Sequence, residues 1–420
     1  MSANITDFIM EHPLFSHHDH NIHFQFFKWN HLKYDAATLL GYANHDMITA
    51  AGPGNEELEE KELVAKYWSK SCATGYGQAV TLGCKSLFNS EYSAENFDRL
   101  TEELQNSFKG KSPLETYNYF LKEKANVKWV LQDSCFAQGD ATLLHEDMFP
   151  DYYRFAWRFD KLFAITELAT IELLEKYTDL NIQTLDQLVN AMNANIDAFK
   201  KSGKLAALKL GIAYERDFNL SEPSRKDAEI VFDRVRKCNA DEKLDWNDAR
   251  SLGDYMLHNL LKRASDENIP VQIHTGILAG NGKNFTHSRA LDLIPMLQKY
   301  NNVRFDIFHA SYPWSSELCA IAKSFPNVYP DMCWVWAINP TEAERTLAEW
   351  LDAVPFNKIF AFGADTGYPW TTVGYAIQAR IGIARVLENK VQKGAFSEAT
   401  AKEIASAIML KNGEDFYGLD

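Results

Sequence analysis

From about residue 127 onward the chain alternates short apolar runs with long amphipathic stretches, and this rhythm limits the fold more than any other feature. Runs of strand character cover 14–20, 127–133, 153–159, 205–212, 270–274, 303–309, 328–333 and 359–365. Apolar residues three and four apart mark helices over 184–201, 227–236, 248–268, 287–300, 315–325 and 341–354. Asn339-Pro340 reads as a helix start and Asn412-Gly413 as the end of the last helix. Strands that alternate with helices pair in parallel, and eight such units close on themselves. The expectation is an α/β chain folded as a (β/α)8 TIM barrel. The stretch 24–124 has helical patches and no clear strand. A structureless loop of that length is implausible, so it reads as a mostly helical insertion after the first strand, within a single barrel spanning 1–420. Its acidic run from Glu56 to Glu62, like Asp241 to Asp245, reads as a solvated face.

Composition narrows the partners. The 420 residues hold 43 Lys or Arg against 57 Asp or Glu, a formal net charge of −14. No basic footprint for nucleic acid or for an anionic membrane exists on such a chain. Disorder is excluded for most of it by 26 Phe, 18 Tyr and 10 Trp. No leader is expected at 1–15 and no membrane span anywhere. Cys72, Cys84, Cys135, Cys238, Cys319 and Cys333 form no CxxC pair, a pattern of reducing compartments, so the expected location is cytoplasmic. Dinucleotide, Walker, HExxH and GxSxG signatures are all absent. Gly280-Asn281-Gly282-Lys283 reads as a turn.

The chemistry concentrates in 15–23, FSHHDHNIH, which holds four of the 12 histidines. Residues two apart on a strand share a face. Leu14, Ser16, His18 and His20 would therefore point into the barrel, and His18 and His20 could share one metal ion. His274, His309 and Asp365 each end an apolar strand run. In a parallel barrel such ends gather at one mouth, where catalytic residues collect.

HxH on strand one, His after strands five and six, and Asp after strand eight together resemble the amidohydrolase superfamily of metal-dependent hydrolases. The stretches Gln272-Ile273-His274-Thr275-Gly276, His309-Ala310-Ser311-Tyr312-Pro313 and Asn327-Val328-Tyr329-Pro330-Asp331 are similar to its amidohydrolase-related branch. That branch includes decarboxylases and the hydrolase-like domain fused to glutamine-synthetase-like proteins. Uronate isomerases, which carry a helical insertion at the same place, are a more distant resemblance. The resemblance implies one divalent ion, zinc first with manganese or iron as alternatives. Its ligands would be His18, His20, His274 and Asp365. Asp365 would also take a proton from water, and His309 would orient or deprotonate that water.

Lys209, inside the fourth strand, stays open between pairing with a substrate carboxylate, bridging two metals, and facing outward. Arg216 is a candidate carboxylate clamp. Arg158 and Asp133 are candidates on the rim; Trp334 and Tyr312 are candidate walls of the pocket, as are Asp331, Trp314 and Trp370 less directly. The expected activity is hydrolysis of a C–N or C–O bond in a small polar, carboxylated metabolite. Sugar-acid isomerisation and decarboxylation are the alternatives; Ala364-Asp365-Thr366-Gly367 departs from the Thr-Asp-Ser-Arg usual in uronate isomerases. Trp29, Tyr67, Trp68 and Tyr76 of the insertion, read as exposed, could form an interface between copies of the chain.

Overall fold

The computed structural model describes residues 4–54, 58–133, 135, 137–145, 147–239 and 241–419. Glu56 and Glu57 of the acidic run, and residues 1–3 of the amino-terminal stretch, lie outside the described residues.

Seven parallel strands pair in chain order: β1 (Leu14–Asp19), β2 (Val127–Asp133), β3 (Tyr153–Arg158), β4 (Leu205–Leu210), β5 (Val271–Ile273), β6 (Phe305–Ile307) and β7 (Val328–Pro330). In place of the eighth expected strand stands the segment 359–366, which makes one bridge, between Phe360 and Asp331, the residue after β7. It nevertheless closes the ring. On one side Phe360 N donates to Pro330 O at 3.1 Å and Trp334 N to Gly363 O at 2.9 Å. On the other, His17 N donates to Phe362 O, Asp365 N to His18 O and His20 N to Thr366 O, at 3.1, 2.9 and 3.1 Å. The architecture is the (β/α)8 barrel.

Helices between the strands form where polar caps meet apolar periodicity. Thr184 and Gln187 make a capping box at the start of Leu185–Lys201, whose Leu188, Met192, Ile196 and Phe199 bury one face. Asn339 caps Pro340–Ala353 through Glu342 N. Two expectations fail locally. No continuous helix covers 287–300: a short 3-10 turn, Ala290–Leu293, leads into Ile294–Lys299, with Pro295 in its first turn. Asn412-Gly413 does not end the last helix. It opens Asn412–Tyr417, which Gly418 closes in the left-handed conformation. Gly413 is there for close packing: a Cβ would lie 2.3 Å from Phe15 Cδ1 and 2.5 Å from His17 Nε2. This short helix plugs the barrel floor, where Phe416 and Tyr417 join Phe15, Leu131, Ala156, Ala207 and Phe360 in an inner core.

Between β1 and β2 lie the helices Phe24–Asn30, Ala43–Ala51, Glu60–Ser71, Gly75–Phe88 and Phe97–Phe108. Trp370, on the helix Pro369–Gln392, is buried among Phe27, Tyr34, Phe108 and Phe120 of this region, so it serves packing. Of the aromatics expected at the surface, Trp29 is 70% exposed, but Trp68 and Tyr76 are buried in the core. Among the described residues no helix is long and apolar enough to cross a membrane.

The helix Gly75–Phe88 crosses Pro369–Gln392 at two glycines. A Cβ on Gly374 would meet Ala79 O at 2.1 Å and Gly83 N at 3.1 Å. Backbone atoms cannot step aside as a side chain can. Gly374→Ala is expected to destabilise the fold by roughly 1–3 kcal/mol, read as a lower urea midpoint at unchanged slope.

Candidate metal centre

Strict alternation along β1 places Leu14, Ser16, His18 and His20 inward. The structure differs at the first two. Phe15 and His17 enter the barrel interior, against Phe360 and Tyr417, while Leu14 joins the outer core. The pairing of β1 with β2 slips between Ser16 and Asp19. Beyond that irregularity His18 and His20 reach the mouth together.

There the predicted residues converge. His18 Nε2 and His20 Nε2 are 3.1 Å apart. Asp365 Oδ1 lies 3.5 Å from the first and 3.1 Å from the second. His309 Nε2 faces His274 Nδ1 at 3.0 Å and Asp365 Oδ2 at 3.9 Å. His18, His274, His309 and Asp365 are all buried.

Whether this set fits a cation is decided by the far side of each ring. His20 Nδ1 is 2.9 Å from Asp133 O, His274 Nε2 is 3.0 Å from Ile277 O, and His309 Nδ1 is 3.1 Å from Cys333 O. A carbonyl only accepts, so each of those nitrogens carries the proton. His274 Nδ1 and His309 Nε2 are then left facing one another as lone pairs, which repel at 3.0 Å unless a cation lies between them. Two donors on a tetrahedral ion at zinc-like bond lengths sit roughly 3.3 Å apart, close to these spacings. Burial lowers the pKa of His18 and His274 well below the ordinary value, and that of His309 to about 4, so these rings stay neutral, as metal binding requires. His20 differs: burial would lower its pKa, but Cys135 and Asp365 hold it well above the ordinary value, and its hydrogen bond and charge outweigh the burial that would raise Asp365 and keep the carboxylate.

The supporting residues are specific. Asp19, buried beneath the mouth, accepts from Thr366 N at 3.0 Å and so holds the turn in which Asp365 sits at φ 55°. Arg158 donates to Asp133 Oδ2 at 2.8 Å and also pairs with Asp160. The two rim candidates Arg158 and Asp133 thus neutralise each other beside His20. Lys209 is buried over the Phe308 ring, which itself packs on His18, and this removes the outward-facing alternative. Its Nζ lies 3.8 Å from the Phe308 ring centroid with no hydrogen-bond partner among the described residues. Burial lowers its pKa, against the raising effect of Asp133.

Trp334 is buried edge-on to His309, ring centroids 5.3 Å apart, and packs on Tyr42 and Tyr76 of the helical region. Its ring borders His309 on that side. Tyr312 is half-buried, its hydroxyl 3.4 Å from Asn339 Nδ2. Asp331 faces His17 inside the barrel, Nδ1 to Oδ2 3.3 Å, and not the mouth. Trp314 packs with Phe285 and Arg289.

Arg216 corrects the reading of a carboxylate clamp. Its guanidinium is consumed by Asp254, Phe163 O and Asn219 O, and it stacks on Trp246. All three of its nitrogens are committed to the protein, Nε to Asp217 O as well, because a buried guanidinium fills its hydrogen bonds internally wherever it can.

Three residues of the centre were not singled out for it by sequence reasoning. Asp19 lies inside the histidine run, where strict alternation alone would turn it away from His18 and His20. Cys333 and Tyr42 carry no local motif, and only the folded chain brings them here.

Comparison with known proteins agrees with this geometry. Residues 232–419, which include His274, His309 and Asp365, match the sequence model of the amidohydrolase family. Over 177 residues, 41% of this chain, the sequence is 30% identical to Protein fluG of Emericella nidulans; the match spans 20% of that protein's length. Uronate isomerase from Thermotoga maritima superposes with a TM-score of 0.80 over 99% of this chain and 98% of that one, at 16% identity. Glucuronate isomerase from Caulobacter crescentus gives 0.80 over 99% and 93%, also at 16%. A Lactobacillus casei protein described as a metal-dependent hydrolase gives 0.67 over 99% and 97%, again at 16%. The structural likenesses establish a shared fold, and the resemblance to amidohydrolases, with uronate isomerases alongside, is borne out.

Removing Arg216 leaves Asp254 buried and unpaired. Arg216→Ala is expected to cost roughly 3–5 kcal/mol of stability while leaving metal content per folded chain unchanged. Denaturant titration and metal analysis check the two halves of that statement.

Proposed function

We propose that this protein is a metal-dependent hydrolase cleaving a C–N or C–O bond of a small polar metabolite. The observation that carries the reading is the convergence of His18, His20, His274, His309 and Asp365, all but His20 buried, with three ring protons turned outward to carbonyls. Zinc suits this donor set; manganese and iron are the alternatives. A divalent ion held by His18, His20 and Asp365 would polarise a carbonyl and make water acidic near neutral pH.

The chain's own residues supply the rest. Asp365 receives the proton of the attacking water and returns it to the departing nitrogen or oxygen. His309, kept neutral by burial, orients that water through Nε2. Trp334 and Tyr42 cover the centre and exclude bulk water. With Arg158 and Arg216 both engaged, Lys209 is the buried cationic side chain left to meet a substrate carbonyl or carboxylate.

A second reading, isomerisation of a sugar acid, is favoured by one observation. The two isomerase structures match this chain over 99% of its length, helical region included. Product chemistry separates the readings. Incubation with amides, lactones and uronates is expected to release ammonia or acid; interconversion of a uronate with unchanged composition would sink the hydrolase reading in favour of the isomerase.

Chelation is expected to abolish activity and lower the thermal midpoint, with both restored by zinc, because a ligand that binds only the folded chain stabilises it. Asp365→Asn is expected to lower turnover by roughly 10²–10⁴-fold, measured on protein of matched metal content.

A further inference from the structure

The barrel interior below the metal centre holds two carboxyls that the mechanism above does not use. Strand register places Lys209, Gln272 and Asp306 side by side on β4, β5 and β6. Asp331, the residue after β7, meets Asp306 from the next position round the ring. All four are buried. The titratable and charged groups that face the two carboxyls are His17 on β1, Lys209 on β4, Cys333 after β7 and Tyr417 on the helix that plugs the floor.

Three of the four carboxyl oxygens have their donors. Asp331 Oδ1 accepts from Cys333 N at 2.6 Å, and Oδ2 lies 3.3 Å from His17 Nδ1. Asp306 Oδ2 accepts from the Tyr417 hydroxyl and, at 3.2 Å, from Gln272 Nε2. Asp306 Oδ1 is buried with no donor among the described residues. Yet the Asp306 side chain makes a hydrogen bond with Asp331. Two carboxylates offer only acceptors, so that contact needs a proton between them. The Lys209 ammonium does not supply it, because its Nζ makes no hydrogen bond among the described residues. Charge leads to the same count. Two ionised carboxylates in contact would face one ammonium, and like charges so close do not both stay ionised out of water. Burial and the charge of Asp331 push Asp306 well above the ordinary carboxylate range, in the same direction.

We propose that Asp306 holds a proton on Oδ1 and donates it to the Asp331 carboxylate, so that the pair forms a pH-sensitive lock inside the barrel. The proton is taken from solvent as the chain folds; an O–H bond forms and no electron is transferred. The lock ties β6 to the turn after β7. The same Asp331 carboxylate holds Cys333 N, and Cys333 O accepts from His309 Nδ1. Aspartates of an unfolded chain ionise at about pH 4, so near neutral pH only the folded chain carries this proton. The stabilisation is complete below the unfolded value, declines as pH rises, and is gone above the folded value.

The test uses full-length protein as wild type, Asp306→Asn and Asp331→Asn, with and without isotopic label at the aspartate side-chain carboxyl. Infrared spectra at neutral pH in heavy water are read as wild type minus variant. The wild type is expected to show the carbonyl stretch of an un-ionised carboxylic acid, shifted by the label and lost in both variants. Asparagine at 306 cannot hold the proton, and asparagine at 331 donates in its place. Urea unfolding over a series of pH values gives the second reading. The wild-type unfolding constant is expected to rise with pH about tenfold per unit more steeply than that of Asp306→Asn. Groups elsewhere, such as Asp19, titrate alike in both and cancel. A wild type without a label-sensitive acid band overturns the proposal. So does a band that persists in either variant, since another acid then carries the proton, and so do equal pH slopes for wild type and Asp306→Asn. Should Asp306→Asn not fold, Asp331→Asn serves for both readings, and the wild-type band is read independently of either.

Discussion

The site depends on one set of backbone hydrogen bonds, those that join β1 to segment 359–366. His17 N reaches Phe362 O, Asp365 N reaches His18 O, and His20 N reaches Thr366 O. These bonds close the barrel. They also set the HxH pair, near the amino terminus, against a carboxylate from the far end of the chain. Side chains reinforce the seam. Ser16 accepts from Ala364 N and donates to Asp19, while Asp19 accepts from Thr366 N and its hydroxyl. Burial pushes the Asp19 carboxyl up to about 7, partly offset by the hydrogen bonds from Ser16 and Thr366. An acidic group is thus buried in the seam where an apolar one could not pin the turn.

The mouth carries strained backbone in consequence. His309, Ala310, Ser311, Trp334 and Asp365 have φ between 50° and 67°; the first four follow β6 or β7, and Asp365 lies near the end of the closing segment. Asn89, Asp179 and Asn268 also have positive φ, but each ends a helix, where that conformation is routine. Non-glycine residues in this region cost of order 1–3 kcal/mol each. They persist here because the surrounding barrel over-determines them. What the strain achieves is visible: it aims His309 and Asp365 inward and seats Trp334 against the His309 ring.

Much of the fold was legible because periodicity is a local property. The strand runs match the paired strands to within a few residues, apart from the eighth, whose segment makes a single bridge. The helix starts at Thr184 and Asn339 were readable from caps, since a cap needs only neighbours in sequence. Asn412-Gly413 misled for the opposite reason. Its glycine answers to Phe15 and His17, residues 398 and 396 positions away, and not to a helix end. Arg216 misled in the same manner, as its partner Asp254 lies 38 positions on, in the helix Trp246–Glu267.

By itself the sequence determined the barrel class and which histidines and aspartate stand at the ends of its strands. Strand–helix alternation, and histidine or aspartate placed just after apolar runs, are written in short windows of chain. Tertiary structure alone decided which donors share a space and what surrounds them. The slip in β1 that turns His18 and His20 to the mouth, the Arg158–Asp133 pair and the Tyr42–Trp334 cover all depend on contacts between distant segments. So does the gap at Gly363 that admits Cys333. Such contacts follow from how the ring closes and packs, a property of the whole chain that no local pattern encodes.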